Sequence, residues 1–144
     1  MIDANVILDV LLNRKEFIAD SSLIWKSCET GKIRGYVSTL TFANLVYIMR
    51  KQLNASQIEK VYETIGMIFS YVDFTVSDLS RAVSMGWTDF EDALQCCMAE
   101  DIHADYIVSR NTDDFSKSSI KAVTPKEIIS MLGIGFRIRE CDKG

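Results

Sequence analysis

At 144 residues, 48% hydrophobic and 25% charged, the chain has the size and balance of one globular domain, residues 1–144. A net charge of −4 excludes a generic polyanion binder with a long-range positive field. No apolar run approaches the ~20 residues that a membrane helix needs, and the start Met1-Ile2-Asp3-Ala4-Asn5 carries no basic or apolar signal region, so a cytoplasmic location is expected.

Met1-Ile2 reads as the stub of a first strand ending at Asp3. So short a strand means either that it is curtailed or that the start is clipped. Val6 to Leu12 is an apolar run that reads as a short helix with Asp9 as its one charged residue, broken at Asn13-Arg14-Lys15. Phe17 to Glu29 is a second helix, closed by Gly31. Gly35 to Thr39 is a short buried strand, after which Thr39 or Thr41 caps a helix running to about Leu53. That helix is apolar on nearly every side, which predicts central burial and makes Asn44 in its middle notable.

Ser56 and Glu59 have capping-box spacing for a helix through Phe69. Tyr71 to Val76 alternates like a strand, and Ser77 caps a helix that stops near Gly86. Thr88 and Glu91 make a second capping box, followed by Phe90, Ala93, Leu94, Cys97, Met98 and Ile102 at helical spacing. Adjacent Cys96 and Cys97 lack the loop spacing of zinc ligands and read as reduced, buried thiols. The single histidine, His103, fits a helix C-terminus.

Tyr106 to Val108 is the next strand, Asn111 to Phe115 a polar turn, and Ile120 to Val123 a last short strand. Thr124-Pro125-Lys126-Glu127 starts the final helix, with proline at its first position. Phe136 to Arg139 is a candidate extra strand. Arg14-Lys15, Arg50-Lys51 and Arg137 with Arg139 are candidate basic patches for a polyanion, each with the alternative reading of a solvated surface pair. Short strands alternating with longer helices predict an α/β domain, a parallel sheet with helices on both faces.

In such a sheet, ligands bind beyond the carboxyl ends of the strands. Asp3 ends the first strand, Asp113 and Asp114 follow the fourth, and Asp92 lies in the first turn of the helix leading into it. If the first and fourth strands are neighbours, these acids converge. Two carboxylates about 4 Å apart repel by roughly 4 kcal/mol at an effective dielectric near 20. A divalent cation removes that cost, and an all-oxygen donor set points to Mg²⁺ or Mn²⁺. Such an ion serves phosphoryl chemistry. Each acid alone also has a structural reading: Asp3 as a turn residue, Glu91 as a cap, Asp89 and Asp92 as complements to the helix dipole, Asn111 as the cap of its turn.

Three blocks, M-I-D-A-N-V-I-L-D-V-L-L, D-F-E-D-A-L and A-D-Y-I-V-S-R-N-T-D-D-F, together resemble the PIN-domain family, which includes VapC-type toxin ribonucleases. The resemblance runs from Met1 to about Leu132 and implies a three-layer α/β/α sandwich around a central parallel sheet of four to five strands. It implies Mg²⁺- or Mn²⁺-dependent hydrolysis of RNA phosphodiesters, with the chain as toxin of a type II toxin–antitoxin pair. Asp3, Asp92 and Asp114 would then be the catalytic, metal-holding acids. Asn5, Ser109 and Asn111 would line the pocket, and Asp89 would be an outer ligand. Asn44 stands where the family usually has a second acid, as a weak ligand or one step removed from the ion. A branch of the family is similar in carrying S-x-L-x-F-x-N there. The resemblance further implies an antitoxin that covers the acidic pocket, and a homodimer. The competing expectation is a PIN-like nucleic-acid-binding module with weak or no catalysis, since the amide of Asn44 brings no charge.

Overall fold

The computed structural model describes residues 1–133. Its elements are α1 (Ala4–Leu11), α2 (Ile18–Glu29), β1 (Tyr36–Ser38), α3 (Thr39–Met49), α4 (Ala55–Ile68), β2 (Ser70–Val72), α5 (Val76–Met85), α6 (Phe90–Asp101), β3 (Ile107–Val108), β4 (Ala122–Val123) and α7 (Pro125–Met131), with a 3₁₀ turn at Thr112–Phe115. The expected strand at 136–139, with Arg137, Arg139 and Cys141, lies outside the described residues.

The strands pair in parallel, β1 with β2 and β3 with β4. Between the two ladders runs the Met1–Asp3 segment. Ile2 forms a parallel bridge to Val108. The Ile2 amide donates to the Tyr36 carbonyl at 2.8 Å, the Asp3 amide to Val108 at 2.9 Å, and the Val108 amide to Met1 at 2.8 Å. The expected central sheet of four to five strands is therefore seen, among the described residues, as two two-stranded ladders and one bridging segment. The reason is local. Asp3 and Ser38 each end an extended stretch and cap a helix at once, so the chain leaves the sheet after two or three residues.

Side chains along these stretches alternate between two cores, the period of two that extended chain imposes. Ile2, Val37, Val108 and Val123 pack with residues of α1, α2, α3, α4 and α7. Met1, Tyr36, Val72, Ile107 and Ala122 pack with α5 and α6. The class is α/β, with helices against both faces of the strands.

Helix starts follow the expected chemistry at shifted positions. Ser38, not Thr39 or Thr41, caps α3, its hydroxyl accepting from the Thr41 amide at 2.9 Å. Asn54 with Gln57 forms the capping box of α4, and Thr75 with Asp78 that of α5, displacing Ser56 and Ser77. Thr124, Pro125 and Glu127 start α7 as their spacing predicts. α3 is not centrally buried. Only Thr41, Leu45 and Met49 are covered, whereas Tyr47 is 65% and Ile48 47% exposed. Cys28, Cys96 and Cys97 are buried free thiols. No helix among the described residues is long and apolar enough to cross a membrane.

Candidate active site

The site begins where the Met1–Asp3 segment meets β3. Asp3 has extended backbone and caps α1, its Oδ1 accepting from the Ala4 amide at 2.8 Å. Its Oδ2 accepts from the Ser109 hydroxyl at 2.6 Å and from Asn5 Nδ2 at 3.3 Å. Ser109 is fully buried and also accepts from the Asn111 amide at 3.0 Å, while Asn5 Oδ1 accepts from the Arg110 amide at 3.4 Å. The first acid is thus fixed by residues more than a hundred positions away. Burial pushes its carboxyl above the usual range, the Ser109, Ala4 and Gln95 donors pull it down, and the charge of Asp114 pushes it up.

α6 supplies the next acids. Asp89, rather than Thr88, is its N-cap, accepting from the amides of Glu91 at 2.9 Å and Asp92 at 3.2 Å. An aspartate at the last extended residue reaches two orphan amides by itself, so the capping box expected of Thr88 and Glu91 does not form. The Glu91 carboxylate instead accepts from Asn44 Nδ2 at 2.9 Å. Asp92, half-buried one residue on, has its carboxyl pushed up to about 7, first by burial and then by the charges of Asp89, Asp3, Asp114 and Glu91.

Asp113 and Asp114 lie in the 3₁₀ turn after β3 and, with Asp89 and Asp92, line a cleft of about 380 Å³ that also holds Trp87 and Lys117. The Asn111 side chain makes no cap bond to that turn; the backbone amide alone ties it to Ser109. The donor set of Asp3, Asp92 and Asp114 suits a hard divalent cation, and the mutual repulsion that raises Asp92 is what such a cation relieves. Among the described residues, no three His, Cys, Asp or Glu side chains stand close enough together to hold one ion.

Two polar residues at the site were not singled out from the sequence. Gln95 in α6 is buried, and its Nε2 lacks a partner of good hydrogen-bond geometry. It nevertheless lies close enough to the Asp3 carboxylate to favour its charged form. A buried donor without a partner costs about 1–3 kcal/mol. Asp9 in α1 is fully buried, receiving the Ser21 hydroxyl at 2.9 Å and facing Arg110 Nε at 3.0 Å and Arg14 at 3.5 Å. The Arg110 guanidinium also lies 3.8 Å over the Phe17 ring. A lone aspartate within an apolar helical run was the available signal for Asp9.

A family model described as the PIN domain matches residues 1–113. No curated protein matches in sequence. In fold the chain is similar to a solved structure, a toxin–antitoxin complex from Klebsiella pneumoniae, at 19% identity and a TM-score of 0.64, over 86% of this chain and 95% of that one. PIN domains are generally nucleases, and they typically use divalent metal ions. The family model spans well over half of the sequence, beginning at the segment that carries Asp3 and ending within the 3₁₀ turn, and on that match the chain belongs to the PIN-domain family.

Proposed function

We propose that this protein is an endoribonuclease dependent on Mg²⁺ or Mn²⁺, acting as the toxin of a type II toxin–antitoxin pair. The observation that carries the reading is the meeting of Asp3 with Ser109 at 2.6 Å, at the carboxyl ends of two parallel stretches, within electrostatic range of Asp92 and Asp114. Asp3, Asp92 and Asp114 would hold the cation, with Asp89 an outer ligand and Asn44 one step removed, beside Glu91. When bound, the ion supplies a nucleophile at neutral pH and charge neutralisation at phosphorus. Ser109 and Asn5 orient Asp3 for that task, and Asn111 is held at the same edge. The likeness to a toxin–antitoxin complex supports an antitoxin partner, whose basic side chain would enter the acidic cleft. RNA as substrate, a homodimer and a cytoplasmic location belong to the same reading.

One pair of observations favours a second reading. Asn44 brings no charge where the family usually has an acid, and among the described residues no three candidate ligands stand within reach of one ion. A binding module without catalysis fits that arrangement. Incubation of the protein with RNA in Mg²⁺, in Mn²⁺ and in EDTA separates the two. Metal-dependent cleavage is the expected result; RNA binding that is indifferent to metal, with no cleavage, would replace it with the second reading.

A further inference from the structure

Trp87 stands on the wall of the cleft that Asp89, Asp92, Asp113 and Asp114 line. With Thr88 it forms the two-residue link between Gly86, the left-handed C-cap of α5, and Asp89, the N-cap of α6. Helix caps fix both ends of that link, so its backbone has little freedom. The indole packs edge-on against Phe115, with ring centroids 6.5 Å apart and planes inclined by 72°. Phe115 is 3% exposed and closes the 3₁₀ turn that carries Asp113 and Asp114. The indole is thereby tied to both elements that supply the acids, yet it stays partly exposed.

Packing alone would be served by a fully covered aliphatic side chain. The charge of the cleft gives the aromatic surface a use. Its lining sets four aspartates against one lysine, Lys117, so a phosphate backbone gains nothing from net charge there, and one divalent cation does not reverse that balance. Lys117 is exposed and makes no ion pair among the described residues, which leaves its ammonium for a single phosphate. Affinity for a nucleotide must then come from its base. A base stacked on an aromatic ring supplies that affinity whichever base is presented. Only an unpaired base can be laid on a side chain in this way.

We propose that Trp87 is the base platform of the cleft: the substrate is single-stranded RNA, one unpaired base of which stacks on the indole while Lys117 meets an adjacent phosphate. This rests on the nuclease reading above and adds which part of the RNA is recognised. At this position the protein selects single strands over duplex and tolerates any base.

The test uses the full chain, Mg²⁺ and an RNA octamer, either free or paired with its complement. Wild type is expected to cleave the free strand at least 10-fold faster than the duplex. In Trp87→Leu the KM for the free strand should rise about 10-fold with kcat little changed, and Trp87→Tyr, which keeps a ring, should recover most of that loss. A folded Trp87→Leu with wild-type KM would overturn the proposal while leaving the nuclease reading intact. A wild type that cleaves neither strand nor duplex would overturn that reading, and this inference with it. Should neither variant fold, the two indole resonances of wild type decide, since Trp25 lies in the other core against Phe69. Adenosine monophosphate is expected to shift the Trp87 resonance and ribose 5-phosphate to leave it unmoved; an equal response to the two would overturn the proposal.

Discussion

Asn44 Nδ2 donates to Glu91 Oε2 at 2.9 Å, joining α3 to the first turn of α6 across 47 positions of sequence. Asn44, where the resemblance leads one to expect an acid, is thereby in contact with a carboxylate from another helix. Glu91 is close enough for its charge to raise the neighbouring Asp92. The expected role of the pair is that the amide sets the direction of the carboxylate and Glu91 carries the charge. Glu91→Gln keeps an oxygen for Asn44 and removes only that charge. Cleavage at limiting Mn²⁺ is expected to fall about 10-fold and to recover as Mn²⁺ is raised, which a Mn²⁺ titration of initial rates measures.

Asp92 makes metal-free stability depend on pH. Its folded-state carboxyl is raised to about 7, above the ordinary carboxylate value near 3.9. Between those values the folded chain holds a proton that the unfolded chain has lost, so stability falls as pH rises from about 4 through 7. Asp92→Asn removes its share of this dependence. In EDTA at pH 7.5 the variant should be more stable by on the order of 1–2 kcal/mol, after allowing for solvent screening of a half-buried group. Urea titrations of both proteins at pH 5 and pH 7.5 check the sign, and a wild type that gains stability across that interval would contradict it.

Ser109 tunes Asp3. Its hydroxyl, 2.6 Å from Oδ2, is foremost among the donors that hold the Asp3 carboxyl down against burial. Ser109→Ala should raise that carboxyl further and move the acidic limb of the rate–pH profile to higher pH, while cleavage at the optimum falls about 10-fold or more. A uniform loss of rate with the limb unmoved would count against this role.

Asp9 of α1 pairs at 3.0 Å with Arg110, which follows β3 in sequence by two residues. Asp9→Ala strands Arg110 and the Ser21 hydroxyl against an apolar core. Removing one partner of a buried pair costs about 3–5 kcal/mol; Arg110 is 23% exposed, so about 2–3 kcal/mol is expected in urea unfolding. Asp9→Asn, which keeps the shape, should lose less.

The order of elements was legible because strands and helices here differ in length and in apolar period, and Thr124-Pro125 fixed its helix start through the proline's restricted backbone. Other starts slipped by one or two residues. Ser38, Asn54, Thr75 and Asp89 each stand near a second side chain able to cap, and the choice depends on where the extended backbone ends. The outward face of α3 was illegible because apolar composition does not say which neighbours arrive, so Tyr47 and Ile48 read as core. In the candidate site, position beside the strands singled out Asp3, Asp92 and the adjacent Asp113 and Asp114, and only the resemblance separated Asp114 from its neighbour. The bond from Asn44 to Glu91 and that from Ser109 to Asp3 join distant elements, for which no local pattern exists.

In the proposed function, Asp3, Asp92 and Asp114 together hold a divalent cation. The most direct measurement is an anomalous difference map from a crystal soaked in Mn²⁺. A peak bounded by those three carboxylates and absent from an Asp92→Asn crystal is expected; no peak there at millimolar Mn²⁺, or one that survives the substitution unchanged, would overturn the assignment.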